Sequence, residues 1–124
     1  APGRAGDDMP ITTNYLFIAS MDIAAEVEEL FNEVYDTEHV PALMQVPGVI
    51  SVTRFRGEPF SMSIAGAERR IEAAGEPRYS AVYEIESPDV LISAEWASAV
   101  EAGRWPAEIR PHTFNLRQQL LARV

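Results

Sequence analysis

Four stretches of the chain carry the apolar patterns of β-strands. Each is a run of aromatic and β-branched residues, or an alternation of apolar and polar ones, bounded by turn-forming or polar residues. The predicted strands cover residues 14–20, 49–56, 79–85 and 113–124. In the second strand the alternation puts Arg54 on the same face as Ile50 and Val52, which is unusual for a charged side chain.

Helical spacing begins after the first strand. Apolar residues recur every three to four positions from Ile23 to Tyr35, while the acidic residues form a separate stripe. The spacing predicts an amphipathic helix with Asp22 as its N-cap. Pro41 is expected to bend this helix or to start a fresh turn, because proline lacks an amide hydrogen and disfavours helical geometry at the preceding residue.

A second helix is predicted after the third strand. It is expected to start at Ser87, with Ser93 as an alternative later start, and to end near Ala102 before Gly103. The segment between the second and third strands, residues 57–77, is long for a loop in a compact domain. We expect it either to form a functional lid or to contain a short helix at about residues 65–74.

The predicted order is β-α-β-β-α-β. Two such halves form a four-stranded antiparallel sheet with both helices on one face, the ferredoxin-like α+β arrangement. The other face of the sheet then stays bare and partly apolar. A second copy of the chain is the simplest cover for it, so we expect a homodimer.

The chain length fits one domain. With 124 residues and 47% hydrophobic residues, the sequence can bury a single core. We expect a flexible N-terminal tail at residues 1–12 and one domain at residues 13–124. The tail lacks the apolar core of a signal peptide, and no apolar run is long enough to span a membrane, so a cytoplasmic location is expected.

Composition removes several kinds of chemistry. The sequence has no cysteine, and all ten basic residues are arginine, which excludes thiolate nucleophiles and Schiff bases on lysine. A net charge of −9 disfavours nucleic acid and acidic membranes as partners. The two histidines are far apart in sequence and form no metal-binding motif, and no dinucleotide-binding glycine pattern is present, so neither a metal nor a cofactor is expected.

Several segments resemble the dimeric α+β barrel superfamily, and most closely its EthD-like and stress-responsive branch. The likeness includes an acid-His-x-Pro motif at residues 38–41, a Pro-Gly turn and an arginine-bearing second strand. It is carried by residues 28–43, 46–49, 53–56, 77–79, 87–89 and the region of Arg117. The resemblance implies a dimer with face-to-face sheets and a pocket between each sheet and its helices. It also implies a histidine near that pocket as the acid/base group, and His39 matches the motif. Val34 stands where relatives often carry tryptophan, which implies a different pocket floor.

His39 is the first catalytic candidate, because an imidazole titrates near neutral pH. If the helix continues, Tyr35 lies one turn before it on the same side. The alternative is a structural histidine that bonds a backbone carbonyl. His112, at the entry to the last strand, either faces the mouth of the pocket or is simply solvated.

Arg54 and the strand tyrosines are the remaining polar candidates. Arg54 is expected either to hold a substrate oxygen or to form a salt bridge, to Glu84 on the neighbouring strand or to the partner subunit. Tyr79 and Tyr83 share a face of the third strand, so a phenol either reaches the pocket or only packs. The predicted catalytic residues are His39, Arg54 and Tyr83, and the predicted substrate-binding residues are Tyr35, Phe31, Tyr79, His112 and Trp96.

The predicted function is that of a small cofactor-independent enzyme. A histidine acid/base would support isomerisation, cyclisation or lyase chemistry on a small carbonyl, aromatic or polyketide-like substrate. The alternatives are a non-catalytic stress-responsive or ligand-binding dimer and a cofactor-free monooxygenase. Trp96 and Trp105 would in either case anchor the second helix and its exit, or the dimer contact.

Overall fold

The computed structural model describes residues 11–124, so residues 1–10 of the predicted tail lie outside the described residues. Six strands form: β1 (Tyr15–Ile23), β2 (Val49–Arg56), β3 (Phe60–Ile64), β4 (Ala67–Ile71), β5 (Tyr79–Ile85) and β6 (Thr113–Ala122). The α-helices are α1 (Glu28–Val34), α2 (Val40–Met44) and α3 (Ala94–Ala99). Shorter helical turns join them: 3-10 turns at Ala25–Val27, Pro88–Ile92 and Arg110–His112, and π-helical turns at Tyr35–His39 and Trp105–Ile109.

The main sheet has the strand order β2-β5-β1-β6, and all its neighbours are antiparallel. Strands β1 and β5, which are the first and third predicted strands, are central in the sheet, and β2 and β6 form its edges. Both helical segments cover one face of this sheet. The ferredoxin-like α+β prediction is therefore confirmed, and the four predicted strands are all present close to their expected bounds.

The first helical segment begins later than predicted. Asp22 is not a helix cap, because β1 extends through it to Ile23. Its carboxylate instead accepts hydrogen bonds from the backbone amide of Arg78 (2.8 Å) and the side-chain amide of Asn115 (3.0 Å). Pro41 lies in the first turn of α2, where its missing amide hydrogen costs nothing, as expected of a fresh turn.

A bulge changes the faces of β2. The pairing with β5 shifts between Val49 and Ser51, so Ile50 lies outside the regular alternation and is 45% exposed. Val52 and Arg54 still face the helices. The prediction that Ile50 shares their face was wrong, because one extra residue in a strand reverses the alternation around it.

The segment between β2 and β5 contains a hairpin, and the short helix predicted there is absent from it. Strands β3 and β4 pair in register from Phe60 with Ile71 to Ile64 with Ala67. The two connecting residues, Ala65 and Gly66, have φ angles of 53° and 82°. Positive φ at both positions is the geometry of the tight turn that matches the twist of paired strands.

Serine caps start the second helical segment at both predicted places. Ser87 accepts a hydrogen bond from the Asp89 amide and starts a 3-10 turn, whereas Ser93 accepts one from the Trp96 amide and starts α3. The α-helix ends at Ala99, three residues earlier than expected, and Gly103 has the positive φ of 66° typical of a stop.

The core lies between the sheet and the helical segments. Its largest fully buried side chains come from both: Phe31, Leu43, Ile85, Ile109 and Val34. The opposite face of the sheet carries no helix. The alternation and pairing of its strands place apolar side chains there: Leu16, Ile18, Phe55, Val82 and Leu121. No helix among residues 11–124 is long and apolar enough to cross a membrane.

Candidate functional site

A cavity of about 320 Å³ lies between the helix-covered face of the sheet and the helical segments. Its volume falls within the lower part of the range of small-molecule sites. Aromatic rings from five different elements form much of its wall: Phe17, Tyr35, His39, Tyr83, Trp96 and Trp105. The exposed residues Arg110, Leu116 and Gln118 line it near β6, so this side forms the mouth.

The two π-helical turns meet at this cavity. His39 ends the first turn and Trp105 begins the second, and their rings stack at a centroid distance of 4.1 Å and an angle of 15°. The Tyr35 ring meets the imidazole edge-on at 5.0 Å. Single π-helical turns are rare and occur often at functional sites, because the wider turn moves side chains out of the usual helical spacing.

The His39 imidazole is neutral at physiological pH. Only 6% of the residue is exposed, and burial, followed by the charge of Arg110, lowers the pKa of His39 from 6.5 to about 4. Its buried Nδ1 has no hydrogen-bond partner among the described residues. Because buried polar atoms are nearly always paired, Nδ1 calls for a partner that residues 11–124 do not supply.

Two buried phenols lie beside the imidazole. The hydroxyls of Tyr35 and Tyr83 are 3.4 Å apart, close enough for a weak hydrogen bond between them. Burial raises the pKa of both tyrosines, so both phenols stay protonated and can donate a hydrogen bond. The cavity therefore offers one neutral nitrogen base and two uncharged oxygen donors.

A carboxylate clamp connects the two π-helical turns outside the cavity. Glu38 accepts hydrogen bonds from the backbone amide of Arg104 (2.9 Å) and from its guanidinium (2.6 Å). The same guanidinium also donates to Glu33 at 2.9 Å. Since Glu38 precedes His39 and Arg104 precedes Trp105, the clamp fixes the two backbones that carry the stacked rings.

Gly103 makes room for this clamp. A Cβ atom there would lie 2.5 Å from a carboxylate oxygen of Glu38, and its φ of 66° is unfavourable for other residues. The clamp thus depends on a glycine that sequence analysis assigned only to a helix stop.

Arg54 does not line the cavity. Arg54 extends from β2, and its guanidinium carbon lies 4.4 Å from the centre of the Tyr35 ring. The guanidinium donates hydrogen bonds to Asp36 and Asn32 at 2.8 Å each. The expected pairing with Glu84 was wrong, because Glu84 accepts from Ser51 instead. Arg54 therefore packs behind Tyr35, outside the lining of this cavity.

The other predicted binding residues divide into two groups. Trp96 lines the cavity and contacts the rings of Phe17 and Tyr83. Phe31 and Tyr79 are buried in the core next to Arg54 and outside the cavity lining, and Tyr79 donates to Glu28. His112 is exposed and also lies outside the lining.

Sequence reasoning missed the site roles of Trp105 and Arg110. Both lie in the segment between α3 and β6, which is interrupted by prolines and has no helical or strand period. Trp105 was expected to anchor the exit of the second helix or the dimer contact. The available signal was weak: one of the two tryptophans of the chain lies in this short, proline-interrupted stretch.

Metal ligands are not grouped near this site. Within residues 11–124 no three histidine or acidic side chains come together in a way that could hold a metal ion. The polar groups on the wall of the cavity are instead an imidazole, phenols, an arginine, a threonine and a glutamine.

Solved structures of two proteins share the fold. The heme-degrader MhuD from Mycobacterium tuberculosis, with two hemes bound in its active site, is 14% identical over 89% of this chain and 95% of its own, with a TM-score of 0.58. A point mutant of MhuD with two manganese protoporphyrin IX molecules per active site is 15% identical over 89% of this chain and 94% of its own, with a TM-score of 0.60. An EthD family protein from Bacillus halodurans is 14% identical over 90% of this chain and all of its own, with a TM-score of 0.58.

These likenesses establish the fold alone. The fold that the sequence resemblance implied, a ferredoxin-like α+β arrangement, is the one that these structures share with this chain. No protein-family model matches the chain, and no curated protein is similar to it in sequence.

The clamp predicts an unusual cost for adding a methyl group at Gly103. Gly103→Ala should lose about 2 to 4 kcal/mol of unfolding free energy, from backbone strain plus the displacement of Glu38. Gly75→Ala is the matched control, because Gly75 has a φ of 82° and nothing within 4 Å of the added atom. Urea unfolding measures both, and equal losses in the two variants would show that the clamp contributes nothing.

The buried imidazole predicts a pH-dependent stability. Between about pH 6.5 and pH 4 the unfolded chain binds a proton at His39 that the folded chain does not, so stability falls as the pH is lowered. The loss reaches about 3 kcal/mol near pH 4 and then levels off. Comparing unfolding of the native protein with His39→Gln isolates this change from carboxylate titration, with His112→Gln as the control. A difference between native protein and His39→Gln that is constant with pH would contradict the burial of a neutral ring.

Proposed function

We propose that the cavity is the active site of a small cofactor-independent enzyme that moves a proton on a small aromatic or polyketide-like carbonyl compound. The observation that carries this proposal is the buried His39 imidazole, neutral and with an unpaired ring nitrogen, in the wall of an aromatic cavity. Enolisation of this kind is a common first step of isomerisation, cyclisation and lyase reactions of carbonyl compounds.

His39 acts as the base. At neutral pH its ring is unprotonated and ready to accept a proton from a carbon next to the substrate carbonyl. In that step a C–H bond breaks, an N–H bond forms on the imidazole, and the electron pair moves onto the carbonyl oxygen. The negative charge formed nearby offsets the cost of a buried imidazolium, so the weak base becomes stronger as the reaction proceeds. The proton then returns to a different atom of the substrate.

Tyr35 and Tyr83 stabilise the oxygen that gains charge. Their phenols are protonated and buried, and hydrogen bonds to an oxyanion are strongest where water is excluded. Arg54 supports this role from behind, because its guanidinium lies over the Tyr35 ring and holds it in place. The two phenols, and not Arg54 as predicted from the sequence, would therefore bind the oxyanion.

The aromatic wall favours flat substrates. Rings of Phe17, Trp96 and Trp105 line the cavity, and stacking or edge-on contacts with them would orient a planar ligand. Heme breakdown, the activity of MhuD, does not carry over to this chain, since the likeness is of fold alone and the cavity of about 320 Å³ lies at the small end of the range of ligand sites. Absence of a cofactor and a cytoplasmic location stay predictions from the sequence.

We also propose that the protein is a homodimer that buries the helix-free face of the sheet. Phe55 on this face is 56% exposed, and Leu121 is 45% exposed. Together with Leu16, Ile18 and Val82 they form an apolar surface, which water disfavours and a second copy would cover.

The catalytic proposal is tested by hydrogen exchange on a bound ketone. Native protein should accelerate the exchange of the acidic hydrogens of 2-tetralone in D₂O, followed by proton NMR, and His39→Gln should reduce that rate about 100-fold. His112→Gln removes an exposed imidazole and should leave the rate unchanged.

The outcomes separate the alternative functions. Tight binding of small aromatic carbonyl compounds in a thermal-shift screen, without exchange or product formation, would favour the non-catalytic ligand-binding alternative. Oxygen consumption with a phenolic ligand would favour the monooxygenase. A shifted Soret band on titration with hemin would assign the cavity to porphyrin instead.

The dimer is tested by mass in solution. Light scattering should give twice the 13.7 kDa chain mass for the native protein, and Phe55→Glu with Leu121→Glu should reduce it to one chain. Ile92→Glu is the control, because Ile92 is exposed on the helical side of the molecule. A native protein that stays monomeric at high concentration would contradict the proposal.

A further inference from the structure

Charge is distributed unevenly between the surface and the cavity. The chain has 19 acidic residues and a net charge of −9, yet no acidic side chain of residues 11–124 lines the cavity. Among those residues, the one formally charged member of its wall is Arg110, at the mouth. The charge of the cavity wall is thus opposite in sign to the net charge of the chain.

Arg110 is held in a fixed orientation. Two of its guanidinium nitrogens donate to the Glu101 carboxylate at 2.9 Å each, and one of them also donates to the Val100 carbonyl at 2.9 Å. Its third nitrogen, Nε, makes no hydrogen bond to any described residue. Glu101 lies outside the cavity lining, so it holds the arginine and offsets part of its charge without itself lining the wall.

Polar neighbours extend the basic end of the cavity. Gln118 and Thr113 line the same cavity as Arg110. A glutamine amide supplies hydrogen-bond donors, and the Thr113 hydroxyl, which donates to the Arg110 carbonyl at 2.8 Å, keeps acceptor capacity. Deep in the cavity the polar groups are uncharged, namely the imidazole and the two phenols.

We infer that the ligand of this cavity is an aromatic acid, with its ionised group at Arg110 and Gln118 and its ring among the aromatic side chains. This inference rests on the proposed function, in that it names the class of compound that the same cavity accepts. A carboxylate or an ionised enol at the mouth would leave a carbonyl within the deep end, next to His39 and the phenols. The acidic group would then act as a handle and the carbonyl as the reacting part.

The approach of such a ligand is also consistent with the charge pattern. The acidic surface repels anions in general, so an acid gains access only where a local cation offsets that field. Hydrogen bonds between a guanidinium and an anion are about twice as strong as neutral ones, and strongest when partly shielded from water. The arginine at the mouth therefore distinguishes an acid from its neutral analogue.

The test compares 2-naphthoate with 2-naphthamide, a pair of the same shape that differs in charge. Isothermal titration calorimetry should show that native protein binds the acid at least about tenfold more tightly than the amide. Arg110→Gln should abolish this preference and leave amide affinity unchanged, which also shows that the variant is folded. Arg110→Lys should retain part of the preference.

Arg117→Gln is the matched control, because Arg117 is an exposed arginine of β6 that pairs with Glu76 outside the cavity. It should leave the preference intact. Equal binding of acid and amide to the native protein would overturn the inference and leave the aromatic cavity of the proposed function standing. Binding of neither probe would overturn the inference and count against the proposed function as well.

Discussion

The stack of His39 on Trp105 is the contact on which the candidate site depends. The two rings come from separate helical segments. His39 is the last residue of one π-helical turn, and Trp105 is the first residue of the other. The Glu38–Arg104 clamp fixes the backbones beside the rings, and Gly103 leaves space for it. Without this arrangement the imidazole would have no ring stacked on its face, and it would be more exposed to water.

Around this stack the molecule separates two electrostatic environments. The surface carries most of the charge, including ion pairs such as those of Glu33 with Arg104 and of Glu76 with Arg117. Within the described part of the chain, the cavity wall holds only uncharged groups apart from the arginine at its mouth. Burial favours the uncharged form of the three polar groups next to one another in this cavity. It lowers the pKa of the imidazole, which stays unprotonated, and raises the pKa of both phenols, which stay protonated. A neutral base beside neutral donors is therefore a property of the cavity as a whole.

The strands were predictable because their signals are local. Alternation in β5 placed Tyr83 on the buried face correctly, and the serine caps marked both starts of the second helical segment. The hairpin of β3 and β4 was missed, since the residues at 65–74 have high helix propensity while the alternation of Phe60, Met62 and Ile64 is short. Pairing across the sheet decided between the two.

Of the two stacked residues at the centre of the site, the sequence indicated one. His39 could be singled out because histidine is rare in this chain and lies in a recognisable motif. Its stacking partner could not, because nothing local relates it to Trp105, and a π-helical turn has no sequence period of its own. Arg54 was placed on the correct face, but its partners Asp36 and Asn32 depend on how the first helix lies across β2.

The most direct test is an NMR titration of the His39 imidazole, assigned with His39→Gln. If the ring is buried against Trp105 as described, its carbon shifts stay those of a neutral imidazole from about pH 8 down to about pH 5.5, and the protonation midpoint lies near 4. A midpoint near the ordinary 6.5 would mean that the ring is solvated, and the account of the cavity built on it would fail.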